Sequence, residues 1–416
     1  MTIRTSLIVG LAVVTLAAAG CSGKSGSASG RTGDDGVKVG PGVTDETITV
    51  GALTDLTGVY ASLGKSLTQA QRLYFDQLND DGGVCGRTVE LLVRDHGYDV
   101  QKGVSAYTEI APKVVGVSQV IGSPIVSAVL PRIAEDKVLV IPAAWPSTLL
   151  EQQYVQVVGG TYDIEMINGI DFLLERKGLD EGDSIGHVYF EGEYGENALA
   201  GSRYAAGRTG LTLVEQKIKP TDTDMTPQVT ALKDAGVAAI LLSAGPKQAA
   251  SLAGVAAASG FDVPIVASNP GYAPQLLGTP AAGALQKNFY LVNEFQAPNS
   301  SAPGMKALTG AYKAKYPGHA LDNGVSFGYV AAKVFGEALK DACAAKDLTR
   351  EGILKAHRAE TAFDSGGIAA PLDFSKVGQV GTRKSFIQRP DAKAEGGLIT
   401  VGDPVTSKLA TGYKTP

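Results

Sequence analysis

The sequence predicts an α/β protein built as two doubly wound lobes. Short β-branched apolar runs alternate with amphipathic runs at helical spacing along most of the chain, the links between them are short, and the alternation starts afresh after Tyr162. Repeated β-α steps of this kind mean parallel sheets covered by helices. A chain of 416 residues, 44% hydrophobic and 19% charged, can bury two substantial cores. A formal net charge of -5 with no long basic run argues against nucleic acid as a partner.

The first unit, Ile48 to Gly83, sets the pattern. Ile48 to Leu53 reads as a buried strand, and Thr54-Asp55-Leu56-Thr57-Gly58 as a polar loop with glycine at a tight turn. Leu67, Ala70, Tyr74 and Leu78 then fall on one helical face, and Asp80-Asp81-Gly82-Gly83 closes the helix. In open α/β sheets, ligands bind above the strand ends, where such loops and helix starts lie.

In order, the remaining elements are a strand at Val89–Val93, a helix at 104–114, a strand at 118–122, a helix at 127–136 and a strand at Val138–Ile141 stopped by Pro142. After Tyr162 come a helix over 164–177, a strand over 184–189, a helix over 196–207 and a strand over 211–218. Thr226 caps a helix beginning with Pro227. Segments 238–242, 247–259, 264–267 and 288–291 continue the alternation, and Val325–Ala342 is a further helix.

The N-terminus reads differently. Leu7 to Ala19 is an apolar run too short to span a bilayer comfortably, and it ends in Ala17-Ala18-Ala19-Gly20 before Cys21. This resembles a bacterial lipoprotein signal over residues 1–20, with Ala18 in the slot usually taken by leucine. Cys21 would be lipidated and become the mature N-terminus. An ordinary secretory signal is the alternative, and export follows from either. Residues 21–44 are Gly/Ser-rich and read as a flexible tether that would hold the body at a membrane. With Cys21 set aside, Cys85 and Cys343 remain, and two cysteines in an exported chain point to one disulfide or to two free buried thiols.

Several stretches together resemble the branched-chain-amino-acid-type periplasmic solute-binding proteins of ABC importers. They are Gly51 to Gly58, Asn79 to Gly86, Leu92-Val93-Arg94-Asp95, Val120-Ile121-Gly122 with Pro131 to Glu135, Val140 to Ala144, Glu193-Tyr194-Gly195-Glu196 and Asp347 to Glu351, covering about Thr47 to Phe386. The resemblance implies the type I periplasmic-binding-protein fold, two Rossmann-like lobes joined by a three-crossover hinge. It assigns residues 45–162 and 293–378 to lobe one and residues 163–292 and 379–416 to lobe two. The helix Val325–Ala342 then lies in lobe one beside the Cys85 turn, which brings Cys85 and Cys343 together. It further implies a monomer that captures a small solute without cofactor, metal or catalysis and delivers it to the permease subunits of an ABC transporter. The place of work is the periplasm or the outer face of the cytoplasmic membrane. The alternative is the same module sensing a solute for a membrane partner without transport.

The resemblance also locates a site. Small polar residues after the third strand hold the ligand's carboxylate in this family, and here they are Ser123 and Ser127, with Val126 where a serine is common. Ala144 matches a position whose backbone meets the ligand, and Trp145, the only tryptophan, follows it at a strand's C-terminal end. Tyr60 and Tyr194 match residues that close on the solute, and Tyr272 is a further wall. Members that bind amino acids carry an acidic residue after the strand here written 263–267, to meet the ligand's ammonium. This chain has Ser268-Asn269-Pro270-Gly271-Tyr272 instead. Either Asp163, Glu191 or Glu193 takes that role or the ligand lacks an ammonium. With Asn269 in that place, the expected solute is a small carboxylate or amide, the branched-chain amino acid being the family default.

An enzyme reading rests on Gly324-Val325-Ser326-Phe327-Gly328, which fits the G-x-S-x-G pattern of a nucleophile elbow. That elbow requires a preceding strand, and residues 315–323 do not read as one. His96, His187, His319 and His357 are scattered without metal spacing.

Overall fold

The computed structural model describes residue 2 and residues 31–415. Apart from residue 2, the expected signal segment 1–20, Cys21 and the expected tether as far as residue 30 lie outside the described residues. From residue 31 onward the expected tether is folded. Strands β1 (Arg31–Thr32) and β2 (Lys38–Val39) pair antiparallel, and Val37, Val39 and Val43 are buried. Arg87, 2% exposed, clamps the segment: its Nε donates to the Thr44 carbonyl at 2.7 Å and its Nη1 to Asp35 at 2.6 Å. This pairing holds the Asp35 carboxyl down at about 2. The polar composition of residues 31–44 hides three valines whose side chains find a partner only after the rest of the chain has folded.

The first sheet is built from β3 (Thr47–Thr54), flanked in parallel by β4 (Thr88–Asp95) and β5 (Gly116–Val120), with helices α1 (Ala61–Asp80), α2 (Val100–Ile110) and α3 (Ser123–Asp136) in the connections. The segment Val138–Ile141, expected as a strand, and the residues just after it run beside β5 through two isolated parallel bridges, Val117 to Val140 and Ile121 to Ala143. Pro142 has no N–H to give, so a continuous ladder does not form.

The chain crosses to the second sheet through Gly159 and Gly160. There α4 (Tyr162–Lys177), β6 (Ser184–Phe190), α5 (Glu193–Thr209), β7 (Thr212–Ile218), α6 (Thr226–Asp234), β8 (Ala239–Ser243), α7 (Pro246–Ala258), β9 (Ile265–Ala267), α8 (Ala282–Asn288) and β10 (Phe289–Asn293) follow one another. The parallel order is β7-β6-β8-β9-β10. Met225, rather than Thr226, is the cap residue of α6, and Asp224 before it accepts from the Thr226 N–H at 2.9 Å and hydroxyl at 2.6 Å.

After β10 the chain returns to the first sheet. It forms α9 (Pro303–Lys315), α10 (Asn323–Ala344), β11 (Asp347–Leu348), which pairs with β2, and α11 (Arg350–Ala359). Helix α10 packs along α1 so closely that a Cβ on Gly328 would lie 2.3 Å from the Leu67 carbonyl. The G-x-S-x-G pattern occupies the first turns of α10. Asp322 caps this helix by accepting from the Gly324 N–H, and Ser326 Oγ faces the Met305 sulfur at 3.9 Å. No strand leads into it, so the pattern is a helix start. A third crossing near residues 375–385 leads to β12 (Phe386–Pro390) and β13 (Leu398–Thr400), which extend the second sheet antiparallel, and to α12 (Lys408–Gly412). Among the described residues no helix is long and apolar enough to cross a membrane.

Cys85, in the turn after α1, is bonded to Cys343 near the end of α10, with Cα atoms 5.8 Å apart and a sequence separation of 258. The bond ties two helices that already touch. Closing so long a loop restricts the unfolded chain, so Cys85→Ser with Cys343→Ser is expected to lower unfolding free energy by about 5 kcal/mol in the loop-entropy picture. Urea denaturation of the two forms measures this directly; equal midpoints at equal slopes would contradict it.

Candidate functional site

Asp55 builds the floor of the site. Its buried carboxylate accepts from the backbone N–H of Thr57 at 3.2 Å and of Tyr60 at 2.9 Å, and from that of Gly58. The neighbouring loop is held from β4, where Asp95 accepts from the Leu56 N–H and the Thr57 hydroxyl. These bonds fold the polar loop back on itself and set the Tyr60 ring at the start of α1. Tyr98, on the loop after β4, packs edge-on against it with ring centroids 5.1 Å apart. Gly122, at φ 99°, makes room for Tyr98, since a Cβ there would sit 2.6 Å from its ring.

Trp145 closes another side. Its indole N–H donates to the Val158 carbonyl at 2.9 Å, and its ring meets Phe327 at 4.8 Å and Tyr162 at 5.9 Å. Tyr162 lies 4.4 Å from Tyr194 across the lobes' junction, and the Tyr194 hydroxyl is bonded to the Ser268 hydroxyl. The rings of Tyr60, Tyr98, Trp145, Tyr162 and Tyr194, with Ser123, Ile121 and Pro270, line a narrow cleft of about 20 Å³, room for little more than one water. Burial raises the phenols of Tyr60, Tyr162 and Tyr194 well above their ordinary range, so all three stay neutral hydroxyls at physiological pH.

Of the residues expected to line a site, Tyr60, Ser123, Trp145 and Tyr194 converge on this space. Ala144 does not line it. In the extended segment Ala143 and Trp145 point one way and Ala144 the other, into the core. Ser127 lies one turn further along α3, half-buried and outside the cavity wall. Tyr272 is spent elsewhere, its hydroxyl donating to the Gly397 carbonyl at 2.9 Å. Asn269 turns from the cavity to two buried carboxyls, with Nδ2 2.6 Å from Glu165 Oε1 and 3.5 Å from Glu294 Oε2. Its neighbour Pro270 lines the wall instead.

The helix start at Ser123 offers less to an anion than its position implies. Pro124 has no N–H, and the N–H groups of Ile125 and Val126 already donate to the Gly122 carbonyl at 3.1 and 3.0 Å. What remains is chiefly the Ser123 hydroxyl, which is buried without a hydrogen-bond partner, as is the Tyr60 hydroxyl. Two unpaired donors on the wall of one small cavity need a ligand or water to satisfy them.

None of the proposed substitutes for the missing acid reaches the cavity as a free carboxylate. Asp163, in the first turn of α4, accepts from the Ile164 N–H at 2.8 Å and from the Asn197 amide at 3.2 Å, while Glu191 and Glu193 are exposed. Sequence reasoning missed Tyr98, Tyr162 and the Glu165–Glu294 pair. Tyr98 was within reach of it, because the residue stands after a strand's C-terminal end as Trp145 does. The carboxyl pair had no local signal, since its partners are 129 positions apart in sequence.

Residues 47–395 match the family model described as periplasmic binding protein. The chain is 52% identical to a fatty acid ABC transporter substrate-binding protein from Thermomonospora curvata, which superposes with a TM-score of 0.91 over 93% of this chain and 99% of the other. A Leu/Ile/Val-binding protein homolog from Brucella abortus is 25% identical over 309 residues, 70% of this chain and 75% of the relative. A branched-chain amino acid ABC transporter structure from Thermus thermophilus with bound valine shares the fold, with a TM-score of 0.78 and 20% identity over 88% of this chain and 98% of that one.

The unpaired hydroxyls give a test that separates recognition from stability. Tyr60→Phe and Ser123→Ala each remove a buried, unsatisfied polar atom, so the ligand-free melting temperature is expected to stay level or rise. Trp145→Ala instead empties a packed site and is expected to cost about 3–5 kcal/mol in chemical denaturation. A loss of stability in the first two variants equal to that of the third would assign all three residues to packing.

Proposed function

The chain belongs to the periplasmic binding protein family, the solute-binding proteins of ABC transporters, and from that premise we propose that its solute is a carboxylic acid with an apolar body. The observation that carries this reading is the cavity's chemistry: aromatic walls, two buried hydroxyls without partners, and no carboxylate on the wall to meet an ammonium. Rings of Tyr60, Tyr98, Trp145, Tyr162 and Tyr194 favour an apolar chain by burial. The hydroxyls of Tyr60 and Ser123 donate to the carboxylate head. The Thermomonospora curvata relative, named for fatty acid, supports the same class.

In this reading the lobes, residues 45–162 with 293–378 and 163–292 with 379–416, close on the solute about the three crossovers. Tyr60 and Ser123 come from the first and Tyr194 and Pro270 from the second, so only the shut form completes the wall. The body acts as a monomer, anchored outside the cytoplasmic membrane by a lipid on Cys21, and hands the solute to permease subunits.

A thermal-shift screen decides the solute class. Straight-chain saturated acids, their methyl esters, leucine and valine are compared at equal concentrations. An acid present at a hundredfold excess over its Kd is expected to add about 2.7 kcal/mol to stability. The matching ester, which carries no anionic head, is expected to add far less. Tyr60→Phe and Ser123→Ala are each expected to weaken acid binding by about 1.5–3 kcal/mol, the scale of hydrogen bonds to a charged group. Stabilisation by leucine or valine and by none of the acids would overturn the proposal.

A further inference from the structure

Two of the crossovers meet at one carboxyl group, and the third passes beside them. Gly159 and Gly160 pass over the Glu294 side chain: a Cβ on Gly159, at φ 113°, would lie 2.8 Å from Glu294 Cγ, and one on Gly160 would lie 3.3 Å from Glu294 Oε1 and 3.6 Å from the Thr382 carbonyl. Glu294 itself follows β10, at the return crossing, and Thr382 belongs to the third. Facing Glu294 from the first turn of α4 is Glu165, and both carboxyls are fully buried. The Asn269 amide donates to both, and the Asn269 backbone N–H donates to Glu165 Oε2 at 3.2 Å. Glu294 Oε1 receives no N–H or hydroxyl from any described residue.

Two carboxyls this close and this dry cannot both be ionised. Burial, and for Glu165 the Glu294 carboxyl beside it, pushes both above the ordinary carboxylate range. No cation offsets them: among the described residues neither glutamate has a lysine, arginine or histidine partner within ion-pair distance. The other titratable groups nearby are the neutral phenols of Tyr162 on α4 and Tyr194 on α5. The third crossing also carries Arg383, turned to the Ala410 carbonyl at 2.6 Å, and Lys384, which is exposed.

We propose that Glu165 and Glu294 are a positioning pair that holds one shared proton beneath the hinge when the lobes are shut, fixing Asn269 and the Ser268–Pro270 wall of the cavity. The shared proton supplies the donor that Glu294 Oε1 lacks. Opening wets the pair and lets both carboxyls ionise, so closing on a solute takes up a proton. The sign follows from the raised values: the shut form is favoured at low pH and loses that advantage as pH rises through them. This rests on the two-lobed solute-binding reading, and its test is arranged so that the two can fail separately.

The test follows Trp145 emission on the full chain while decanoate is added at pH values from about 6 to 9, where the ligand's own carboxylate stays ionised. In the wild type, decanoate affinity is expected to fall with rising pH by up to about tenfold per unit. Glu294→Gln and, separately, Glu165→Gln keep the shape and a hydrogen-bonding amide but remove the proton equilibrium, and their affinity is expected to be independent of pH. A purely structural role would lower melting temperature without changing that slope. If decanoate fails to bind at any pH, the solute proposal fails, and the pair is then read on the ligand-free chain. There the Trp145 emission maximum is expected to move to the red with rising pH in the wild type and to stay fixed in the glutamine variants. A flat wild-type profile, or the same slope in wild type and both variants, overturns the inference.

Discussion

Two backbone passages between the sheets, Gly159-Gly160 and the return after β10, meet at the Glu294 side chain, the Thr382 carbonyl of the third lies beside Gly160, and the rest of the structure is arranged around that dry junction. Gly159 and Gly160 are there because any side chain would strike it, and Asn269 is there because an unpaired carboxyl in such surroundings is costly. The junction fixes how the lobes meet, and the way they meet decides which rings face each other. Tyr162 reaches Tyr194 and Trp145 only because α4 starts immediately after the glycine pair.

The same economy of polar groups shapes the cavity. Asp55, fully buried, is satisfied by three backbone N–H groups and so spends its charge on folding a loop rather than on a ligand. Asp163 is likewise taken up by the Ile164 N–H and the Asn197 amide. The acidic side chains near the cleft are thus either tied to backbone or turned to one another, and the cavity is left with aromatic faces and neutral hydroxyls. Such a surface suits an apolar body with an anionic head better than a zwitterion, whose ammonium would lose its water without gaining a partner.

The resemblance to a two-lobed binding protein was legible in Gly51 to Gly58, Asn79 to Gly86 and Val140 to Ala144, because loops above strand ends carry the same turn residues wherever this fold occurs. Most elements were legible from period alone: α1 from Leu67, Ala70, Tyr74 and Leu78, and the buried parallel strands from their β-branched runs. The failures have local causes. Segment 31–44 looked like a tether because three scattered valines do not make a periodic signal. Segment 138–141 reads as a regular strand from its apolar run, but it joins the sheet only through isolated bridges, because local propensity does not report how a segment pairs across a sheet. Ser127 and Tyr272 were placed at the site by position in a motif, while helix pitch and a distant carbonyl took them elsewhere.

Composition, period and turn chemistry determined what each segment would become, since those properties act over a few residues and the chain carries them wherever it goes. They also set the charge class of the cleft, through the absence of an acid in residues 268–272. Only the tertiary structure decided which polar groups are used up and which are left free. Ser123 and Tyr60 keep unpaired hydroxyls, Asn269 is drawn away, and Glu165 meets Glu294, because hydrogen-bond partners and burial are set by segments far apart in sequence. A side chain's availability depends on what reaches it, and that is fixed by the packing of the two lobes.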